Sequence, residues 1–229
     1  MEPDARAWSD GAWRAASAAL PRGPGVFETM RVERGAVAFW REHRERLERG
    51  ARSLALPWPP PVELGPWLAH ALAALPVSLQ AVRLAWCPPA LHLSARALTK
   101  PPDAPELFVG DPCMPLRPFG AKTVERGPYE VALRAARERG AFEALVHGSD
   151  GTCIEGSFTN VFIVRAGRIE TPPLASGALP GIVRGVLLAE LERRPPRLGG
   201  EPWTVHELPL SLSDLAAAEE VLQIGRAHV

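Results

Sequence analysis

Hydrophobic and polar residues of the N-terminal half follow first the period of a strand and then that of a helix. Residues 26–32 alternate between apolar and polar side chains, and residues 36–39 continue as a second short strand after a turn. Leu47, Ala51 and Leu54 then lie on one face of a helix. The same pattern predicts helices over residues 41–56 and 62–75 and paired strands over residues 79–86 and 91–98.

The C-terminal half repeats this mixture of short strands and helices. Apolar and β-branched runs predict strands over residues 142–146, 152–154, 161–164, 169–171, 203–208 and 221–224, and residues 106–109 begin this half. Helices are predicted over residues 129–139, from Ile182 onward, and between the last two strands, where Ser213 is the expected N-cap. A Pro-rich linker at residues 100–105 separates the halves, so we predict an α/β (α+β) chain with domains at residues 1–104 and 105–229.

Composition and charge argue against several classes of protein. The 229 residues are 46% apolar and 23% charged, which is ordinary for a globular protein of one or two domains. The net charge of zero favours neither nucleic acid nor an anionic membrane as a partner, and no apolar run approaches the ~20 residues of a membrane span. Three cysteines without metal-type spacing predict no metal site and fit a reducing compartment, so we expect a cytoplasmic protein.

Lysine usage directs attention to one residue. The 26 basic residues include only two lysines, Lys100 and Lys122. Lys100 precedes Pro101-Pro102 in the linker, whereas Lys122 follows Gly120-Ala121 and lies among small and apolar residues. A lysine among apolar groups has a lowered pKa and can act as a free amine. The alternative is that Lys122 is a chance survivor in an Arg-rich chain, and the residues alone favour neither interpretation.

Two further features lie downstream of Lys122. Glu155 follows a β-branched run and precedes Gly156, which predicts a carboxylate at the edge of a core. Pro180-Gly181 stops the chain immediately before the helix that begins at Ile182. A glycine at a helix start lets backbone N–H groups approach an anion closely. This stretch therefore predicts a fixed negative charge and an anion site.

Several spaced blocks together resemble the class IV aminotransferases, the fold-type IV pyridoxal-phosphate (PLP) enzymes. They lie at residues 25–32, 43–47, 122–123, 128–129, 151–162, 171–173 and 179–184. The resemblance implies a two-domain fold with a smaller N-terminal α/β sandwich and a C-terminal pseudo-barrel with helices. It also implies PLP as cofactor, a small-molecule substrate, and a homodimer whose active sites are lined partly by the neighbouring subunit.

The resemblance assigns roles to individual residues. Lys122 matches the lysine that binds the PLP aldehyde covalently and then serves as the catalytic base. Glu155 matches the carboxylate that keeps the PLP ring nitrogen protonated. Arg46 matches the arginine that grips the phosphate, and the backbone N–H groups of Ile182 and Val183 match those that bind it. Many relatives have Thr where Val183 stands, so one hydroxyl contact is missing here.

Other assignments stay open. Tyr129, the only tyrosine, matches either a residue near the PLP ring hydroxyl or a core residue. Arg126 and Arg83 are candidates for contact with a substrate carboxylate, and Arg83 also suits a salt bridge within a sheet. Asn160 is expected to tie down a turn beside Glu155.

The reaction is a choice among three alternatives. Residues 122–129 resemble the lyase members of the family, and Cys87-Pro88-Pro89 replaces the Arg-Gly that D-amino-acid aminotransferases use for the substrate α-carboxylate. The resemblance therefore favours 4-amino-4-deoxychorismate lyase. A branched-chain or D-amino-acid aminotransferase is the closest alternative. A cofactor-free binding protein on the same fold is the alternative of another class, which the presence of Lys122, Glu155 and Arg46 together argues against.

Overall fold

The computed structural model describes residues 5–9, 11–15, 23–75, 79–98, 102, 105–114, 120–198 and 201–225. The chain forms two compact units. The first contains the described residues up to 98 together with Ala121–Glu125, and the second contains the remaining described residues from 102 onward. Ala121–Glu125, which follows the predicted boundary after residue 104, thus packs with the first unit. Within the described residues, no helix is both long and apolar enough to cross a membrane.

The first unit is built on a six-stranded antiparallel sheet with strand order β2-β1-β6-β5-β3-β4. Its strands are β1 (Arg6–Ser9), β2 (Ala12–Ala15), β3 (Val26–Glu33), β4 (Ala36–Val37), β5 (Leu79–Cys87) and β6 (Ala90–Ala97). Two helices belong to it, α1 (Trp40–Ser53) and α2 (Leu64–Ala73). The predicted strands and helices of this half are confirmed. Strands β1 and β2 were not predicted.

The alternation along β3 determines which side of the sheet forms the core. Val26, Met30 and Val32 point to one side and pack with Leu47 of α1 and Leu68 of α2 in a single buried cluster. Residues at the intervening positions of β3 point to the opposite side of the sheet, because side chains alternate along a strand.

The second unit contains two four-stranded sheets and a short strand pair. The sheets have the orders β15-β9-β8-β7 and β14-β11-β10-β16, and the pair is β12-β13. The strands are β7 (Leu107–Val109), β8 (Glu143–His147), β9 (Thr152–Gly156), β10 (Asn160–Arg165), β11 (Arg168–Thr171), β12 (Arg197–Leu198), β13 (Glu201–Pro202), β14 (Thr204–Glu207), β15 (Leu210–Ser211) and β16 (Glu220–Ile224). The helices are α3 (Gly127–Glu138), α4 (Ile182–Arg193) and α5 (Leu212–Ala216), with a short 3-10 turn at Leu174–Ser176.

The predicted elements of this half are confirmed with two corrections. The N-cap of α5 is Ser211 rather than Ser213: its hydroxyl accepts a hydrogen bond from the backbone N–H of Asp214, and the Asp214 carboxylate accepts one from the N–H of Ser211. Ser213 is already inside the helix, so the prediction was two residues late. The Pro/Gly-rich composition of residues 194–202 predicts a loop, but this region contains the β12-β13 pair.

Candidate active site

Lys122 lies beside the first residues of β3. The backbone N–H of Phe27 donates to the carbonyl oxygen of Lys122 over 2.9 Å, and Val26 forms an antiparallel bridge with Thr123. Val26 also pairs with β5 on its other side, so the lysine segment lies on the opposite edge of β3 from β5. The Lys122 side chain is half-buried, and its Nζ lies 4.9 Å from the centroid of the Phe27 ring.

Arg83 lies against the same aromatic ring. It is on β5, opposite Thr29 of β3, and its guanidinium carbon is 5.5 Å from the centroid of the Phe27 ring. Phe27 is buried with Ala85 in a small apolar cluster. The structure therefore brings two of the predicted site residues, Lys122 and Arg83, close to the same aromatic ring.

Arg46 belongs to a buried ionic cluster in the same unit. Its Nε and Nη2 donate to the two carboxylate oxygens of Glu28 over 2.7 and 2.5 Å, and Nδ1 of His43 lies 2.7 Å from Oε2 of Glu28. Burial alone would raise the pKa of the Glu28 carboxyl, but the charge and hydrogen bonds of Arg46, helped by His43, outweigh it and hold that pKa at about 2. The phosphate contact expected of Arg46 remains a prediction.

Glu155 accepts hydrogen bonds from several segments of the second unit. It lies on β9 and is 3% exposed. Its Oε1 accepts a hydrogen bond from the Tyr129 hydroxyl over 2.6 Å, and its Oε2 accepts one from the Leu179 N–H over 2.8 Å. The Asn160 amide, which also donates to the Leu179 carbonyl oxygen, lies 3.4 Å from Oε2. Asn160 thus ties the turn before α4 to the carboxylate, as the sequence predicted.

The neighbouring thiol does not compete with this carboxylate. Cys153 lies two residues before Glu155 on β9 and is fully buried. Burial, with the charge of Glu155 added, raises the pKa of the Cys153 thiol to about 12. Cys153 is therefore a packing residue and not a nucleophile at neutral pH.

The start of α4 has the features of an anion site. Ile182 and Val183 are its first two residues, and no side chain caps their N–H groups. A Cβ on Gly181 would lie 2.0 Å from Oδ1 of Asn160, so only glycine fits this approach. Nε of Arg184 is buried and has no hydrogen-bond partner among the described residues. Helix N–H groups beside a buried guanidinium match the donors that a phosphate requires.

Arg126 contacts Ser157 and Tyr129. It precedes α3, where its Nη2 donates to the carbonyl oxygen of Ser157 and its guanidinium lies 5.2 Å from the centroid of the Tyr129 ring. These contacts connect the start of α3 to the turn that follows Glu155. The substrate contact expected of Arg126 remains a prediction, as do the cofactor contacts expected of Tyr129 and Glu155.

Glu143, which was not predicted as a site residue, organises that same turn. This carboxylate is fully buried in β8 and accepts hydrogen bonds from the N–H groups of Phe158 and Thr159 over 2.6 and 3.0 Å. Its other oxygen accepts one from the Thr159 hydroxyl over 2.7 Å. A Cβ on Gly156 would lie 2.4 Å from Oε1 of Glu143. An acid inside an otherwise apolar strand is the signal that could have identified it.

Comparisons with known proteins agree on a family. The profile of the family described as amino-transferase class IV matches residues 25–229. The branched-chain-amino-acid aminotransferase of Escherichia coli K12 is 29% identical over an alignment that covers 96% of this chain and 78% of that protein.

Solved structures show the same fold. The branched-chain aminotransferase of Thermoproteus uzoniensis, determined with norvaline, superposes with a TM-score of 0.78 at 25% identity and covers 97% of this chain and 84% of that one. A candidate 4-amino-4-deoxychorismate lyase superposes with a TM-score of 0.77 at 25% identity and covers 93% and 87%. The predicted fold-type IV architecture is thereby confirmed. The chain belongs to the class IV aminotransferases, a family of PLP-dependent enzymes that contains both aminotransferases and lyases.

Proposed function

We propose that this enzyme is a 4-amino-4-deoxychorismate lyase, which forms 4-aminobenzoate and pyruvate. The supporting observation is that the Lys122 segment and β5, which carries Arg83, flank opposite edges of β3, and that both side chains reach the Phe27 ring. The backbone of the Lys122 segment and strand β5 are two strand spacings apart, or roughly 10 Å. The substrate carries its amine and its ring carboxylate at opposite ends of a six-membered ring, whereas an α-amino acid carries both groups on one carbon. A cation supplied from the opposite edge of β3 suits the former.

The hairpin between β5 and β6 gives a second argument. Cys87 pairs with Ala90, so Pro88 and Pro89 alone form the turn. Proline has no backbone N–H, and neither residue carries a charge. This turn therefore lacks the donors with which an Arg-Gly sequence would hold an α-carboxylate. Their absence from Pro88 and Pro89 disfavours a D-amino-acid substrate.

The residues present fit the cofactor. The uncapped start of α4, the glycine before it and the orphaned Nε of Arg184 suit its phosphate, and Glu155 suits its ring nitrogen. When bound, PLP supplies an aldehyde carbon for an amine and an electron-withdrawing ring. We assign the covalent contact to Lys122, the ring nitrogen to Glu155, and the phosphate to Arg46 and the N–H groups of Ile182 and Val183.

In the proposed reaction the proton movements fall to Lys122. With the substrate amine bound in its place, the free Lys122 amine would take the proton from the ring carbon that bears the nitrogen. The ether C–O bond to the enolpyruvyl group breaks, the ring becomes aromatic, and the departing enol gains a proton on its methylene carbon to become pyruvate. The gain of aromaticity drives the step, so the protein mainly has to orient the ring and exchange protons.

A branched-chain aminotransferase is the second candidate, because the E. coli and Thermoproteus relatives have that name. The two activities give different products from different substrates. PLP-loaded enzyme should release equal amounts of 4-aminobenzoate and pyruvate from 4-amino-4-deoxychorismate. With leucine and 2-oxoglutarate it should form no glutamate. Glutamate formation without release of 4-aminobenzoate would establish the aminotransferase instead.

Lysine substitution tests the assignment of the reactive amine. Lys122→Ala should abolish both the visible absorption of the bound cofactor and the release of 4-aminobenzoate, because no amine remains to bind the aldehyde. Lys100→Ala is the matched control and should retain both. Loss of both signals in the Lys100 variant, with Lys122→Ala unaffected, would contradict the assignment. The homodimer and the cytoplasmic location also remain predictions, and light scattering of purified enzyme tests the former.

A further inference from the structure

Tyr129 is placed to control the orientation of Glu155. Its ring is 4% exposed and packs with Val146, Ile154 and Ala178, while its hydroxyl emerges from this cluster to meet Oε1 of Glu155 over 2.6 Å. The distance is at the short end for a hydroxyl–carboxylate hydrogen bond. A phenylalanine would fill the same apolar space, so the hydroxyl serves the carboxylate and not the packing.

The two oxygens of Glu155 are held by different parts of the chain. Tyr129 on α3 donates to Oε1, whereas the Leu179 N–H and the Asn160 amide, both next to the start of α4, donate to Oε2. A carboxylate held on both oxygens cannot rotate about its last bond without losing a hydrogen bond. The side-chain plane of Glu155 is therefore set by α3 on one oxygen and by the turn before α4 on the other.

Arg126 in turn supports Tyr129. It is three residues earlier, on the same side of the helix start, and its guanidinium lies 5.2 Å from the centroid of the Tyr129 ring. The same guanidinium donates to the carbonyl oxygen of Ser157, two residues after Glu155. Arg126 thus contacts both the Tyr129 ring and the turn that follows Glu155.

We propose that Tyr129 is a positioning residue that holds the Glu155 carboxylate in the plane needed to keep the PLP ring nitrogen protonated, and that Arg126 supports it in this role. The proposal rests on the proposed function in one respect, the assignment of Glu155 to the ring nitrogen. It gives Arg126 a task other than contact with a substrate carboxylate, and it gives Tyr129 a role that acts through Glu155.

The test compares Tyr129→Phe with the wild type, each loaded with PLP labelled for NMR at the ring nitrogen. The nitrogen chemical shift reports ring protonation directly, without substrate or turnover. In the variant the signal should move toward the position of the unprotonated ring. The kcat should fall roughly tenfold to a hundredfold, as expected for losing a hydrogen bond to a charged group, while KM stays within about twofold.

A matched control separates positioning from stability. The Ser211 hydroxyl donates to the Asp214 carboxylate over 2.6 Å, the same type and length of bond as that between Tyr129 and Glu155. Ser211→Ala should lower the melting temperature but leave the nitrogen signal and kcat unchanged. If Tyr129→Phe behaves like Ser211→Ala, with a lower melting temperature only, Tyr129 is a core residue and the proposal is wrong.

Two further variants make the outcomes distinguishable. Arg126→Gln should shift the resting nitrogen signal in the same direction as Tyr129→Phe, with KM unchanged. A raised KM with an unchanged resting signal would instead show that Arg126 binds substrate. Glu155→Gln should move the signal fully to the unprotonated position. If it does not, the assignment of Glu155 in the proposed function fails. If it does and Tyr129→Phe has no effect, only the positioning role fails.

Discussion

Replacement of Glu28 by glutamine tests whether the first unit depends on its buried ion pair. Glu28 is 1% exposed and lies in the row of β3 that also carries Val26 and Met30. Its carboxylate receives both Nε and Nη2 of Arg46. Glu28→Gln removes the charge but keeps the volume, and it leaves a guanidinium buried without its counter-charge.

The magnitude follows from the pKa of Glu28. The carboxyl titrates at 4.5 in the unfolded chain and at about 2 in the folded protein. Each pKa unit corresponds to about 1.4 kcal/mol, so the ionised carboxylate contributes about 3 kcal/mol to stability. Because the folded pKa is the lower one, this contribution is complete above about pH 5 and is lost as the pH falls toward 2.

Urea unfolding followed by tryptophan fluorescence is the suitable measurement. Six of the seven tryptophans lie within the first 100 residues, at positions 8, 13, 40, 58, 67 and 86, so the signal reports on the first unit. With an m-value of roughly 1 to 3 kcal/mol per molar urea, a loss of about 3 kcal/mol lowers the midpoint at pH 7 by on the order of 2 M.

Unfolding free energies measured at several pH values test whether the ionised pair is responsible. The difference in unfolding free energy between wild type and Glu28→Gln should shrink steadily from pH 5 to pH 3, since the unfolded wild-type chain takes up a proton on Glu28 in this range while the folded protein keeps the carboxylate ionised. Glu45→Gln, which removes an exposed acid from α1, should show a small and nearly constant difference. A Glu28→Gln difference that stays constant from pH 7 to pH 3 would refute the role assigned to the ionised pair.

Two other substitutions probe the loops of the second unit. Gly181→Ala places a Cβ against the buried Asn160 side chain, so PLP affinity measured by equilibrium dialysis should fall, with a loss of about 1 to 3 kcal/mol in stability. Gly185→Ala in the same helix meets nothing within 4 Å and should be stabilising by up to about 1 kcal/mol. Glu143→Gln places an amide against the N–H groups near Thr159 and should cost about 1 to 3 kcal/mol in chemical unfolding, while an unchanged midpoint would show that the turn does not depend on the carboxylate.

Most of the fold was predictable because its elements have strong local patterns. The alternation of β3 and the helical spacing of α1 are properties of the sequence itself. Strands β1 and β2 were missed because only four residues each support them, and the pairing of β1 with β6 is a long-range contact that no local pattern carries. The cap of α5 was misplaced because Ser211 and Ser213 are both acceptable N-caps, and only the position of Asp214 selects between them.

The candidate site was predictable in its residues but not in its contacts. Lys122 and Glu155 could be singled out by scarcity and by position at a strand end. The partners of Glu155 could not be derived in the same way, since Tyr129 and Leu179 lie 26 and 24 residues away from it in the chain. The pairing of Arg46 with Glu28 was likewise invisible, because an arginine on a helix rich in charged residues looks solvated.

Buried carboxylates explain much of what sequence patterns left out. Glu28, Glu143 and Glu155 are each at most 3% exposed, and each lies in a strand among apolar neighbours. Burying an unpaired carboxylate is costly, so such a residue persists only where donors converge on it. Those donors come from α1, from the turn after β9, and from α3 with the turn before α4. An acid in an inward-facing strand position therefore marks a point where hydrogen bonds join segments that are distant in the sequence. Two of these three carboxylates, Glu28 and Glu155, bind segments that carry proposed cofactor contacts.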